Sequence, residues 1–161
     1  MDDVRLKRFE AGDASWVVDV HAEIYARDEG FDMSFGTLVA GIVAEFVAAH
    51  DPARETGFLA MRGEDRLGSI FCVRGERPDE ARLRLFLLVP EVRGTGLGRR
   101  LLGACLDFAR DAGYRRIALR THESHRAACA LYARTGFVLT DQRPVTSFGM
   151  ALCEQRWQRD L

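Results

Sequence analysis

The chain has 161 residues, 47% of them hydrophobic and 29% charged, with a formal net charge of −1. That size and composition fit one globular domain over residues 1–161 and exclude a disordered chain. No apolar run approaches ~20 residues, which excludes a transmembrane span, and Met1-Asp2-Asp3 leads into no apolar signal region.

Val4, Leu6 and Phe9 read as a short first strand ending at Ala11-Gly12. Asp13 is a good N-cap, and Trp16, Val17, Val20 and Ile24 follow at helical spacing until Gly30. Ser34 is expected to cap a second helix with Phe35, Leu38, Val39, Ile42, Val43, Phe46 and Val47 on one broad face, stopping at Asp51-Pro52. The period then changes: residues 57–62 and 67–74 read as strands around a Gly63-Glu64-Asp65 turn. Residues 82–89 form the next strand, and Leu85-Phe86-Leu87-Leu88-Val89, apolar on both faces, predicts a central, covered position. After Pro90 and a glycine-rich turn, residues 97–112 are an amphipathic helix ended by Gly113. A strand at 116–120, a helix at 124–135 and a closing strand pair at 137–140 and 146–152 complete the order βααβββαβαββ. The expected fold class is α/β with a mixed central sheet.

The near-zero net charge hides an asymmetry. Residues 1–92 carry −7, residues 93–126 carry +5 with eight arginines, and residues 127–161 carry +1. Such a division fits an anionic ligand on the basic block and a cationic one on the acidic part, or else solvated helix faces. The four cysteines, Cys72, Cys105, Cys129 and Cys153, lack C-x-x-C spacing and fit a reduced, cytoplasmic chain with no zinc knuckle.

The most informative stretch is Val89-Pro90-Glu91-Val92-Arg93-Gly94-Thr95-Gly96-Leu97-Gly98-Arg99-Arg100. Alternating glycines between a buried strand and a helix let the backbone approach a ligand, and the N–H groups of the helix start then face it with the positive dipole end behind them. With Arg93, Arg99 and Arg100 beside them, this is a pyrophosphate site in physical terms; the bland alternative is a tight strand-to-helix turn. A Walker A loop needs Gly-Lys-Ser/Thr, but the single lysine is Lys7. The dinucleotide fingerprint fails at Arg99, where its third glycine belongs.

Arg93-Gly94-Thr95-Gly96-Leu97-Gly98 resembles the R/Q-x-x-G-x-G/A coenzyme A motif of the GNAT N-acetyltransferase superfamily. About thirty residues on, Ala127-Ala128, Leu131-Tyr132 and Gly136-Phe137 resemble its second signature, and the element order resembles the GNAT fold over nearly the whole chain. More narrowly, Trp16-Val17-Val18, Tyr25-Ala26-Arg27, residues 50–55 and Ser147-Phe148-Gly149 are similar to acetyltransferase domains fused to MarR-type regulators. The DNA-binding half of those proteins has no counterpart here, and the basic stretch lacks interleaved aromatics, so no nucleic-acid partner is expected.

The resemblance implies an acetyl-CoA-dependent N-acetyltransferase acting by direct transfer to a primary amine. The acceptor would be a small cationic amine, a lysine or a peptide N-terminus, with no membrane partner. It implies that Leu87, Leu88 and Val89 offer backbone bonds to the pantetheine arm and that the N–H groups of Gly94, Thr95, Gly96, Leu97, Gly98 and Arg99 hold the pyrophosphate. A backbone N–H near Leu88 or Val89 is the expected oxyanion donor, and Tyr132 the expected acid for the departing thiolate.

Many relatives carry a glutamate on the strand that here spans 82–89, which holds no carboxylate. Glu23 and His21 on the first helix are therefore the base candidates, with surface or structural roles as the alternative. His122 is expected either to touch the cofactor arm or to begin the next loop; with His125 alone it makes no metal site. Residues 146–157 are the expected edge of a possible homodimer. The alternative function is an acyl-CoA-binding sensor or interaction module without chemistry.

Overall fold

The computed structural model describes residues 3–161. Its order is β1 (Arg5–Arg8), α1 (Ala14–Glu29), α2 (Met33–Ala49), β2 (Thr56–Arg62), β3 (Asp65–Arg74), β4 (Glu80–Leu88), α3 (Leu97–Asp111), β5 (Arg116–His122), α4 (Arg126–Arg134), β6 (Val138–Ser147) and β7 (Met150–Asp160). The element order is the expected one. The strands form one seven-stranded mixed sheet in the order β1-β2-β3-β4-β5-β7-β6, with β4 and β5 parallel and the other neighbours antiparallel.

One face is covered by α3, whose Leu101, Leu102, Cys105 and Leu106 pack into a core with Ile70, Leu83, Ile117 and Trp157. The other carries α1 and α2, where Val17, Val39, Val43 and Phe46 close over Leu59, Met61 and Phe71. Leu67 through Cys72 of β3 are buried without a break, the mark of a strand covered on both faces. β4 is central as expected, with boundaries one or two residues away, but its apolar end is not covered: of residues 85–89 only Leu87 is buried.

The C-terminal pair departs from expectation. Both strands are longer, and the chain runs straight through Asp141–Pro144 because β6 is an edge strand, where a proline costs no ladder bond on its outer side. The turn at Phe148 (φ +56°) and Gly149 (φ +75°) has positive φ at both central residues, the hairpin geometry that matches strand twist. β7 is inserted between β5 and β6, so the free edge belongs to residues 138–147 and not to 150–157. Asp32, not Ser34, caps α2, accepting from the Ser34 N–H at 3.0 Å.

Candidate active-site cleft

The parallel pair β4–β5 is joined at Glu80–Arg116, Ala81–Ile117 and Arg82–Ala118 and goes no further, although β4 continues to Leu88 and β5 to His122. The cause lies in β4. Its register against β3 slips between Ser69 and Phe71, Leu85 takes φ +54°, and the buried Ser69 hydroxyl donates to the Leu85 carbonyl at 2.7 Å. Such a bulge bends the strand and re-aims the residues beyond it. The two central strands fork, and backbone groups are exposed inside the sheet.

The Val89 N–H donates to the Leu67 carbonyl at 2.9 Å, while Gly68 lies opposite Leu88 and Ser69 opposite Leu87. Bonded and non-bonded pairs alternate in an antiparallel ladder. Leu87 and Val89 therefore turn their polar groups to β3, and the Leu88 N–H and C=O open into the fork. Of the three residues expected to bond an extended arm, Leu88 alone is placed to do so from its backbone.

Above the fork lies a cleft of about 780 Å³. Phe86, Leu88, Ala127, Ala128 and Leu131 give it an apolar wall; Ile24, Tyr25, Asp28 and Glu29 of α1 close the opposite side. At one end stands the glycine turn, with Gly94 at φ +76° and Gly96 at φ +86° and open space where a Cβ would be. The N–H groups of residues 94 to 99 find no acceptor among the described residues, the orphan donors expected of a helix start. The Arg99, Arg126 and Arg134 guanidinium groups line the same cleft and form no ion pair among the described residues, whereas Arg93 donates to Asp28 at 2.9 Å. An anion entering here meets oriented donors and unpaired cations together.

The expected residues divide. Leu87, Leu88, Arg93, Gly94, Gly96, Gly98 and Arg99 line the cleft. Thr95 spends its hydroxyl on the Val92 carbonyl at 2.6 Å, and Leu97 is buried in the core. Tyr132 is also buried, 4% exposed, behind Phe86 (ring centroids 6.3 Å apart) and against Phe137 and Trp157; its hydroxyl has no hydrogen-bond partner among the described residues. Burial, with Tyr25 nearby, pushes the Tyr132 phenol well above its usual pKa of 10.

Glu23 lies exposed on α1 and does not line the cleft. His21 is fully enclosed, with Nδ1 donating to the Val17 carbonyl at 2.8 Å and Nε2 buried without a partner; burial pulls its pKa to about 4. His122 ends β5 against Phe31 and Phe148, at centroid distances of 5.8 and 6.4 Å.

Glu29 is a residue that the sequence pattern did not single out. It lines the cleft one and two helical steps beyond Tyr25 and His21, on one i, i+4 stripe, and its Oε1 stands 3.3 Å from Nε2 of His125. His125 Nδ1 is 3.2 Å from the Thr121 hydroxyl. Burial, and secondarily His122, hold the His125 pKa near 4, so the pair is a carboxylate beside a neutral imidazole and not an ion pair. Nε2 is buried and makes no hydrogen bond among the described residues, so its 3.3 Å approach to Glu29 is a close contact and not a hydrogen bond. Arg126 and Arg134 were also missed; their signal was the basic block and the last turn of α4.

Residues 21–137 match the Acetyltransferase (GNAT) family model. The chain belongs to the GNAT family. It is 31% identical over 116 residues to N-acetyltransferase 8F1 of Rattus norvegicus, covering 70% of this chain and 51% of that one. It is 32% identical over 94 residues to the N-acetyltransferase YjgM of Escherichia coli, covering 58% of this chain and 56% of that one. The chain thus spans about half the length of these curated relatives. The fold superposes on yncA of Salmonella typhimurium, solved with acetyl-CoA, at a TM-score of 0.81 with 18% identity over 99% of this chain and 94% of that one. No helix among the described residues is long and apolar enough to cross a membrane, and no group of three metal-ligating side chains is found among them.

Proposed function

We propose that the chain is an acetyl-CoA-dependent N-acetyltransferase that moves an acetyl group directly to a primary amine. The observation that carries this reading is the conjunction of an acceptor-free run of N–H groups at residues 94–99 with the β4–β5 fork that begins beyond Arg82. The residues present fit the cofactor. The orphan donors and the unpaired Arg99, Arg126 and Arg134 suit its phosphates, the Leu88 backbone suits an amide-bearing arm, and the apolar wall suits its methylenes. Bound there, acetyl-CoA supplies an acetyl thioester whose C–S bond breaks as the C–N bond to the acceptor forms.

In this reading Glu29, held beside His125, takes the proton from the ammonium form of the acceptor. The Leu88 N–H is the donor available to a developing oxyanion. Tyr132, behind Phe86 and next to the cleft wall, is the acid that the family resemblance implies for the departing thiolate. Glu29 replaces Glu23 and His21 as the proposed base because it faces the cleft. A cytoplasmic, single-domain protein acting on a small or peptide amine belongs to the same reading, and a second copy would pair on the free edge of β6, where Val138 is 62% exposed. The narrower likeness to MarR-fused domains rests on its sequence segments alone.

The test is calorimetry with acetyl-CoA, then free-thiol release across an amine panel. Micromolar binding with acceptor-dependent thiol release supports the enzyme; absence of binding sinks it. A second reading, a binding module without chemistry, draws on the lack of any carboxylate from Ala81 to Leu88. Binding without thiol release would favour it.

A further inference from the structure

The face of β4 turned toward α2 carries an unusual pair. Arg82 lies opposite Val73 and Arg84 opposite Phe71, and Phe71 packs under Val39, Val43 and Phe46. Cross-strand partners share a face, so both arginines stand on the α2 side of the sheet, in the two positions before the bulge at Leu85. Both are half-buried, yet neither guanidinium makes a hydrogen bond or ion pair among the described residues. The nearby Glu76 and Glu154 are already engaged by Arg120, at 3.2 and 3.6 Å. Burial, and then Arg82, lower Arg84 to about 10, while Glu45 of α2 offsets this without reaching contact. A half-buried, uncompensated cation is retained at a cost unless something neutralises it.

We propose that Arg84, supported by Arg82, binds the carboxylate of the acceptor, and that the acceptor is a free α-amino acid. The assignment rests on the acetyltransferase reading and narrows its substrate class. Arg84 to Leu88 spans four residues, about 13 Å at ~3.3 Å per residue. An extended arginine and the short carboxylate-to-amine spacing of an α-amino acid together bridge that length and bring the nitrogen into the fork. The charges match at both ends, because Glu29 lines the opposite side of the fork and suits the ammonium group. A guanidinium fork pairs with a carboxylate through two parallel bonds, which a polyamine or a carboxamide cannot offer. This reverses the cationic acceptor that the acidic half of the sequence suggested.

The experiment compares the L-α-amino acids with their carboxamides and with putrescine, by acetyl-CoA-dependent thiol release, in the native protein, Arg84→Gln and Arg84→Lys. The free acids should exceed their amides at least about tenfold in kcat/KM. Arg84→Gln should abolish that preference while leaving the KM for acetyl-CoA unchanged, and Arg84→Lys should keep part of it. Amides or putrescine turned over as well as the acids, or a preference that survives Arg84→Gln, overturns the proposal while leaving the acetyltransferase intact. Calorimetry with N-acetyl-L-amino acids on the coenzyme A-loaded protein separates the two failures. Carboxylate binding lost in Arg84→Gln, in a protein that releases no thiol with any amine, upholds the carboxylate site and removes the acetyltransferase. No binding of any N-acetyl-L-amino acid to the native protein overturns the carboxylate site.

Discussion

Glu29 Oε1 stands 3.3 Å from His125 Nε2, joining the end of α1 to the start of α4 across the mouth of the cleft. The imidazole lies beside the carboxylate without a hydrogen bond through Nε2, which leaves the carboxylate oxygens free to accept a proton. Glu29→Gln should lower kcat/KM near pH 7 by about 10²–10³-fold, and the loss should shrink as rising pH delivers the acceptor already deprotonated. A pH–rate profile of native protein and variant measures this. A parallel offset at every pH would remove Glu29 from the proton-accepting role.

Tyr132 is poised differently, because its ring is buried and its hydroxyl has no hydrogen-bond partner among the described residues. Tyr132→Phe forfeits no hydrogen bond, so the Tm should move by no more than a degree or two, with acetyl-CoA affinity nearly intact. The expected change is in kcat alone, down about 10–10²-fold for a lost general acid. Steady-state kinetics beside a melting curve separates this outcome from a packing defect.

The glycine turn offers a third test. Gly96 has φ +86° and open space above it, so Gly96→Ala meets no neighbour and suffers chiefly from the left-handed backbone, about 1–2 kcal/mol. Its new methyl group would stand where the anion approaches, and the Kd for coenzyme A should rise about tenfold or more. Arg93→Gln should weaken binding less, about threefold, since Asp28 already engages that guanidinium at 2.9 Å. Titration calorimetry on both variants ranks them.

Two histidines, His21 fully buried and His125 largely buried in the cleft wall, set a pH dependence of stability. Burial depresses His21 and His125 to about 4 from the usual 6.5, so between those values the unfolded chain binds protons that the fold does not. Stability is complete above pH 6.5 and falls as pH drops toward 4, by up to about 3 kcal/mol for each ring. Calorimetric Tm values at pH 7.5 and 5 should differ clearly in the native protein and less in His21→Gln. An equal drop in both would exclude His21 as a source.

Much of the fold and the cradle was legible in the sequence, and the omissions have physical reasons. Element order came from periodicity and from glycines at helix ends, because Gly30, Gly113 and Gly136 do adopt positive φ. The cradle at residues 93–99 was visible because its chemistry is backbone chemistry written in glycines. The insertion of β7 between β5 and β6 was hidden, since strand order depends on long-range pairing that no local pattern encodes. Trp157 in the core was missed with it. Glu29 was overlooked beside the more evident stop at Gly30, although the 21–25–29 stripe already placed it on the face of His21 and Tyr25. Arg82 and Arg84 looked like an ordinary alternating strand, because a missing partner shows only when neighbouring strands and helices are assembled around it.

At the β4–β5 fork the cleft is lined by α1 on one side and by the glycine turn and α4 on the other. The glycine turn lies on the side of α3 and α4; the arginine pair stands on the α2 side of β4, outside the lining of that cleft. Two molecules held on these separate surfaces neither exclude one another nor need the protein to carry the acetyl group between visits. Initial-rate plots should therefore intersect, the mark of a ternary complex, and a product analogue filling one surface should leave binding at the other measurable.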